Sequence, residues 1–446
     1  MRGEKSVCII GGGMAGLAAS VFLADCGFKV ILAEATPKLG GRAYSYFDRE
    51  KDMFFDNGQH LFAGWYKYTF EYLKLINSLD KLNFQKALEI FFINSKKEKF
   101  ILRIPDLPAP FNLINGLMKF KALTFKDKFG LAKINKLFLK EDIGEEKSGN
   151  AFEFLLKHRQ SKNLMTYFWE PFCIAVFNTR LENISVKIFI NTLKEGFSNA
   201  QNSVLVFPEA DLNTVLVNGA VDYLNKKGAC IKLSERLSLL LEDGKVAGVI
   251  NEKGGRLTAD YYISAVPFFS FKDFAGERFY AEEGFKSDKL KFSGIVSIHL
   301  FFNNDVNIND VCSNVCGMTG LINMSVQWIF LKSSRHLSLV ISGADEAGIT
   351  EKSNEEIFEI AVTDLSKTIE GFNKNQISDY RVIKEKRATF IPDAGSEECR
   401  PQQKTRYDNF YICGDWTNTG LPATIESAAR SARICCDLII EKENSI

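Results

Sequence analysis

With 446 residues the chain exceeds one ordinary domain, and 46% apolar with 25% charged residues is enough for a full core. A formal charge of +1 gives no overall field for nucleic acid, and 4 His without CxxC-spaced cysteines make no zinc-finger ligand set. No stretch approaches the roughly 20 consecutive apolar residues of a spanning helix, and the N-terminal apolar run is too short for a signal peptide, so a soluble or peripheral protein is expected.

In chain order, Val7–Ile10 reads as a buried parallel strand ending at Gly11. Residues 14–26 fit a helix stopped by Gly27, and residues 29–33 form a second strand ending at Glu34, which completes one βαβ unit. The middle, 71–202, is helical in pattern and rich in Phe, Leu and Lys. Past residue 213 come a helix to Leu224, β-like runs at 231–241 and 246–250, and a strand ending at Pro267. Strands at 295–302 and 337–342, a helix at 354–369, a strand at 410–413 and a helix from about Ala423 to Ile440 follow. The expected fold is α/β: a discontinuous Rossmann-type nucleotide domain (1–70, 203–267, 395–446) carrying an inserted sheet-and-helix domain (71–202, 268–394). Cys312, Cys316, Cys435 and Cys436 read most simply as small buried apolar residues. The 38 Phe against 4 Trp suit an apolar cavity as well as a core.

Gly11, Gly13 and Gly16 form GxGxxG between the first strand and its helix. They permit the tight turn, the approach of backbone to a pyrophosphate and close helix–strand packing, while the helix N-terminus at Met14 and Ala15 supplies N–H groups. Glu34 sits where a carboxylate accepts from ribose hydroxyls, with Ala35 beside it, and disfavours a phosphate on that ribose. Gly40-Gly41-Arg42 adds a second close approach with a forked anion donor. Near the end, Gly414-Asp415-Trp416 closes a strand; Asp415 is placed for a ribityl hydroxyl, and the helix beginning near Ala423, Thr424 and Ile425 offers free N–H groups. Leu237 is assigned to the same cofactor site.

These residues resemble the amine oxidase and phytoene desaturase superfamily of FAD proteins. Four segments are similar, more narrowly, to the hydroxysqualene dehydroxylases: DNGQHLFAGWY (56–66), YFWEPFCIAVFNT (167–179), EKRATF (385–390) and GDWTNTGLPATIESAARSAR (414–433). The resemblance implies bound FAD and a hydrophobic isoprenoid substrate, hydroxysqualene, whose allylic hydroxyl is removed with reduced flavin as reductant; the electron donor that recharges the flavin is unidentified. That chemistry needs a proton for the leaving oxygen, a dry electron-rich pocket and a hydride source. Tyr66, Phe168, Trp169, Phe172 and Phe177 are the candidate pocket rings, able to stabilise positive charge without attacking it. Gly58, Gln59 and His60 are expected beside the flavin, with His60 either a proton donor or a structural hydrogen-bonding group. Glu170 is the alternative acid, unless it pairs with an Arg such as Arg180. Carotenoid-type desaturation, amine oxidation and a non-catalytic prenyl-binding role are the competing readings. Residues 105–140, with Leu113, Ile114, Leu117 and Phe120 at helical spacing and interleaved lysines, are expected to form a peripheral membrane contact or else a wall of the pocket.

Overall fold

The computed structural model describes residues 5–108, 111–138, 149–242, 245–306 and 317–445, apart from the side chains of 132, 133 and 135–138. Cys312 and Cys316 lie outside these residues, as do Lys140 and the side chains of Lys133 and Lys136.

Five strands form an all-parallel sheet in the order 230–232, 29–33, 6–10, 261–264, 410–412. Every residue of Val7–Ile10 and of Tyr261–Ser264 is buried, as expected for strands covered on both faces. The helices Met14–Asp25 and Ile425–Ser445 pack together on this sheet. Ala428, Ala429, Ser431 and Ala432 are buried and keep the second helix slim enough to lie close. Cys435 and Cys436 are both fully buried there.

A seven-stranded, mainly antiparallel sheet has the order 377–390, 292–302, 336–342, 328–333, 318–321, 88–93, 99–104. Two of its strands correct the helical reading of 71–202: Leu88–Ile93 and Lys99–Ile104 form a hairpin, and Leu82–Phe84 pairs in a small separate sheet. Leu88–Ile93 is covered on both faces, Leu88, Ile90 and Phe92 on one side and Phe91 and Ile93 on the other, so its run of Ile and Phe is nearly continuous and shows no alternation. Helix Asn354–Thr368, opened by a Ser353/Glu356 capping box, covers one face through Ile357, Ala361 and Leu365. Phe168, Trp169 and Phe177 cluster with Phe92, Trp328 and Phe330 on the opposite face.

A π-turn at Met165–Trp169 leads into helix Glu170–Phe177, whose second residue is Pro171. Proline removes an N–H from the helical ladder, and the widened turn absorbs that loss. The helix ends at Asn178 in a left-handed conformation, φ 53°. The Asn178 amide donates to Ser293 O and Thr389 Oγ1 and accepts from Gly343 N, which staples the aromatic helix to the large sheet.

Candidate functional site: a glycine cradle and an aromatic cluster

Gly11 leaves the first strand at φ +108°, and a Cβ there would lie 2.9 Å from Ala265 O. A Cβ on Gly16 would stand 1.8 Å from Gly11 O, so helix and strand pack only with glycine at 16. Gly13 caps the helix without a side chain, and a Cβ on it would meet only Gly41 Cα, at 3.7 Å. The N–H groups of Met14, Ala15 and Gly16 belong to the first helical turn, which has no intrahelical acceptors. Gly40 N donates to Gly12 O at 2.9 Å, laying the second glycine turn on the first. Glu34 accepts from Gly12 N at 2.6 Å and Thr36 N at 2.8 Å, which fixes the carboxylate while leaving lone pairs for hydroxyls. Ala35 is exposed beside it. Leu237 is buried at the start of a neighbouring strand, in a cluster with Cys8, Ile10 and Ala33.

Arg42 and Asp415 meet: Nη2 donates to Oδ1 at 2.5 Å, while Nη1 donates to Ala388 O at 2.8 Å. Gly414 N donates to Ser431 Oγ at 2.8 Å, tying the turn to the last helix. That helix begins at Ile425, two residues later than expected, because Thr424 Oγ1 caps it by accepting from Ser427 N. Ala423 and Thr424 are half-buried in the turn before it, and the Tyr66 hydroxyl bonds to Thr424. Arg400, not foreseen from the sequence, is buried and donates to the carbonyls of Asp415, Trp416 and Thr417. Burial lowers its pKa to about 10, which still leaves it charged. No local pattern marks such an arginine, since its partners lie past an intervening strand.

The segment 56–60 ties the strand at 45–48 and the turn at Leu212 to the large sheet. Asp56 accepts from Ser45 Oγ and Leu212 N, and Asn57 from Tyr44 N. Lys332, on the large sheet, donates to Gln59 Oε1 at 3.1 Å and lies 3.6 Å from Asp56. Gly58 and His60 follow, both half-buried. Burial lowers the His60 pKa below its ordinary 6.5; Asp56 opposes this and Arg42 adds to it.

The structure gathers Phe168, Trp169 and Phe177 into one apolar cluster, with Phe172 packed against it. Trp169 donates to Gln160 Oε1 at 3.2 Å. Tyr66 belongs instead to the cluster under the nucleotide sheet, in contact with Phe62 and Trp65. Glu170, the first residue of the helix, is exposed, with Glu182, Arg180 and Lys162 as its charged neighbours; partial burial raises its pKa, and Arg180 pairs with Glu346.

The glycine cradle, the open helix N-terminus and the anchored Glu34 carboxylate fit a dinucleotide, and the Asp415 turn extends that site toward the large sheet. The family model for "Flavin containing amine oxidoreductase" matches residues 14–440. The chain belongs to this family. The match begins after Gly11 and Gly13, so it does not depend on the first two fingerprint glycines. FAD is the cofactor and the protein is an FAD-dependent oxidoreductase. Among curated relatives, a hydroxysqualene dehydroxylase of Zymomonas mobilis is 26% identical over 97% of this chain and 98% of its own. A 15-cis-phytoene desaturase of Glycine max is 24% identical over 98% of this chain and 79% of its own. A solved oxidoreductase from Methanosarcina mazei shares the fold, with a TM-score of 0.73 at 15% identity over 97% of this chain and 100% of its own. Among the described residues no helix is long and apolar enough to cross a membrane.

Proposed function

We propose that the protein reduces an allylic isoprenoid alcohol of the hydroxysqualene type to its hydrocarbon. The observation that supports this reading best is the pairing of a family flavin cradle with a greasy aromatic wall, bridged by the His60 segment. The segments 1–70, 203–267 and 395–446 hold FAD in this reading, and 71–202 with 268–394 take the substrate. The bound cofactor supplies hydride to carbon. The chain's own contribution is to exclude water, to surround the developing allylic cation with rings, and to deliver one proton so that the hydroxyl leaves as water.

His60 is the proton donor in this proposal. Its lowered pKa makes it a stronger acid that is less populated near neutral pH, so turnover rises as pH falls toward that pKa. Polyene desaturation, the alternative that the phytoene desaturase likeness favours, needs no proton at this position. The test is anaerobic single turnover of photoreduced enzyme with hydroxysqualene and, in parallel, of oxidised enzyme with phytoene and with an amine, each followed by product identification. Squalene from the alcohol supports the proposal; a desaturated polyene formed by the oxidised enzyme, with the alcohol untouched, overturns it.

We also propose that the enzyme collects this substrate from an anionic bilayer. On helices Phe111–Lys119 and Phe125–Phe138 the outward face carries Phe111, Phe125 and Phe129, exposed by 65%, 73% and 71%, with Ile114 and Met118 between them. Lys119, Lys121 and Lys126 are exposed around this apolar face. The face differs from the expected one: Leu113, Leu117 and Phe120 point into the core. Among the described residues Asp127 pairs with no lysine: it is buried and accepts from Thr124, Ser161 and Asn163. An apolar patch ringed by cations is the pattern that seats a helix among anionic headgroups.

A further inference from the structure

Along strand Phe292–Phe302, Val296, Ile298 and Leu300 point under helix Asn354–Thr368, so Ser297 and His299 point to the opposite, aromatic side of the sheet. Both are buried, with 1% and 3% exposure, and Ser297 Oγ and His299 Nε2 have no hydrogen-bond partner. The other His299 nitrogen, Nδ1, lies 2.9 Å from His336 Nε2, and Phe55 packs edge-on against both rings. At the His60 segment, a Cβ on Gly58 would meet nothing closer than Ser297 Oγ and His60 Nε2, each 3.9 Å away. A methyl-sized space therefore lies between the two polar atoms. Ile295, the preceding residue on the same side of the strand, packs on the cluster of Phe168, Trp169 and Phe177. Ser297 thus stands where the flavin-side loop, the aromatic wall and the imidazole pair converge.

Buried polar groups are costly unless hydrogen-bonded. A pocket built for a pure hydrocarbon gains nothing from an unpaired hydroxyl and an unpaired ring nitrogen in its wall, whereas an alcohol satisfies both. We propose that Ser297 and His299 recognise the single hydroxyl of the substrate, which seats at Gly58 opposite His60, with His336 as the residue that positions the His299 ring. This rests on the isoprenoid-alcohol reading above. The Ser297 hydroxyl donates to the substrate oxygen or accepts from it, and His299 Nε2 takes the complementary role in whichever tautomer His336 imposes. Burial keeps both imidazoles neutral near pH 7, with pKa values pushed down to about 3 and about 4, so recognition adds no charge to an apolar pocket. Lys332, the cation that bears on both rings, is engaged by Asp56 and Gln59. Once the oxygen has left as water, the hydrocarbon product has nothing to offer either group, and the same pair favours its release.

The experiment measures binding of hydroxysqualene and of squalene, dispersed in detergent, to the oxidised flavin-loaded protein, followed by the flavin absorbance change. The wild type should prefer the alcohol. Ser297→Ala should weaken alcohol binding about tenfold, the scale of one hydrogen bond to a buried group, and leave squalene binding unchanged. Its thermal midpoint without ligand should stay level or rise, because the lost hydroxyl had no partner; a structural serine would lower it. His336→Phe should weaken alcohol binding while retaining flavin. If Ser297→Ala binds the alcohol as tightly as wild type while the wild type makes squalene, the recognition proposal fails and the dehydroxylase reading stands. If the wild type neither prefers nor converts the alcohol, the dehydroxylase reading fails and takes this proposal with it.

Discussion

The half built on the parallel sheet and the half built on the seven-stranded sheet use different materials. Around the parallel sheet the working groups are largely backbone, supplemented by the Glu34 carboxylate: N–H donors of a helix end, two glycine turns in contact, and carbonyls held by Arg400. Around the seven-stranded sheet they are side chains brought together from positions far apart in sequence, such as His299 and His336 on paired strands, or Lys332 and the loop residue Gln59. Backbone chemistry constrains consecutive residues and leaves a local signature. Side-chain chemistry is assembled by strand pairing and leaves none.

The largest expected effect falls on a side chain that lies against the seven-stranded sheet, in the segment that Lys332 anchors. His60→Ala should slow dehydroxylation by roughly 10²–10⁴, the range for losing a general acid, while FAD stays bound. In the wild type, turnover should decline as pH rises above 6.5, because burial places the imidazole below that value and the protonated form is the donor. A flat pH profile with near-normal turnover in the variant would assign the proton to water.

Gly16→Ala and Gly13→Val separate fold from cofactor in the other half. The first drives a methyl to 1.8 Å from Gly11 O and should cost about 1–3 kcal/mol or more of stability, seen as a lowered unfolding midpoint even in apoprotein. The second keeps the backbone, since its Cβ touches only Gly41 Cα at 3.7 Å, and should lose FAD with a near-normal apoprotein midpoint. Full flavin occupancy in Gly13→Val would remove the pyrophosphate from this turn.

These contrasts explain what could be read in advance. The βαβ unit and its Glu34 were legible because their residues are neighbours and each glycine answers a local steric demand. The Leu88–Ile93 strand was not, since a strand buried on both faces loses its alternation. Thr424 was placed in the cofactor turn but not recognised as the cap of the last helix. Arg400, Ser297 and the histidine pair carry no pattern at all: only pairing of 292–302 with 336–342 brings His299 to His336.

Glu426 is a side chain at work in the backbone-built half. It is fully buried and accepts from Tyr68 N and from Thr69 N and Oγ1, capping helix Lys67–Leu75 from outside. Burial outweighs these donors and raises its pKa from 4.5 to about 7. A raised carboxyl binds its proton more readily when folded, so this group's contribution to stability is present at low pH and is lost as pH rises between 4.5 and about 7, roughly 1.4 kcal/mol per unit of separation. Unfolding midpoints across that window should show the decline in wild type, and Glu426→Gln should flatten it. An unchanged pH dependence in the variant would show that other groups set the slope.

The smallest effects per residue belong to the membrane face, where the two halves' materials no longer matter and only surface composition does. Wild type should sediment with anionic vesicles at low salt and be released by salt, since the lysines act through a screened potential. Exchanging Lys119 or Lys121 for Ala should weaken partitioning about fivefold each, from about 1 kcal/mol per cation near the surface. Phe125→Glu with Phe129→Glu should abolish partitioning, yet leave turnover of detergent-dispersed substrate intact, because both rings are exposed by more than two thirds and belong to no core cluster. Phe120 cannot serve in this test: it is fully buried against Phe92 and Phe100, and a charge there would disrupt the core itself. Should the wild type stay in the supernatant with anionic vesicles at low salt, the lysines are solvated surface charge and the exposed rings do not seat in a bilayer.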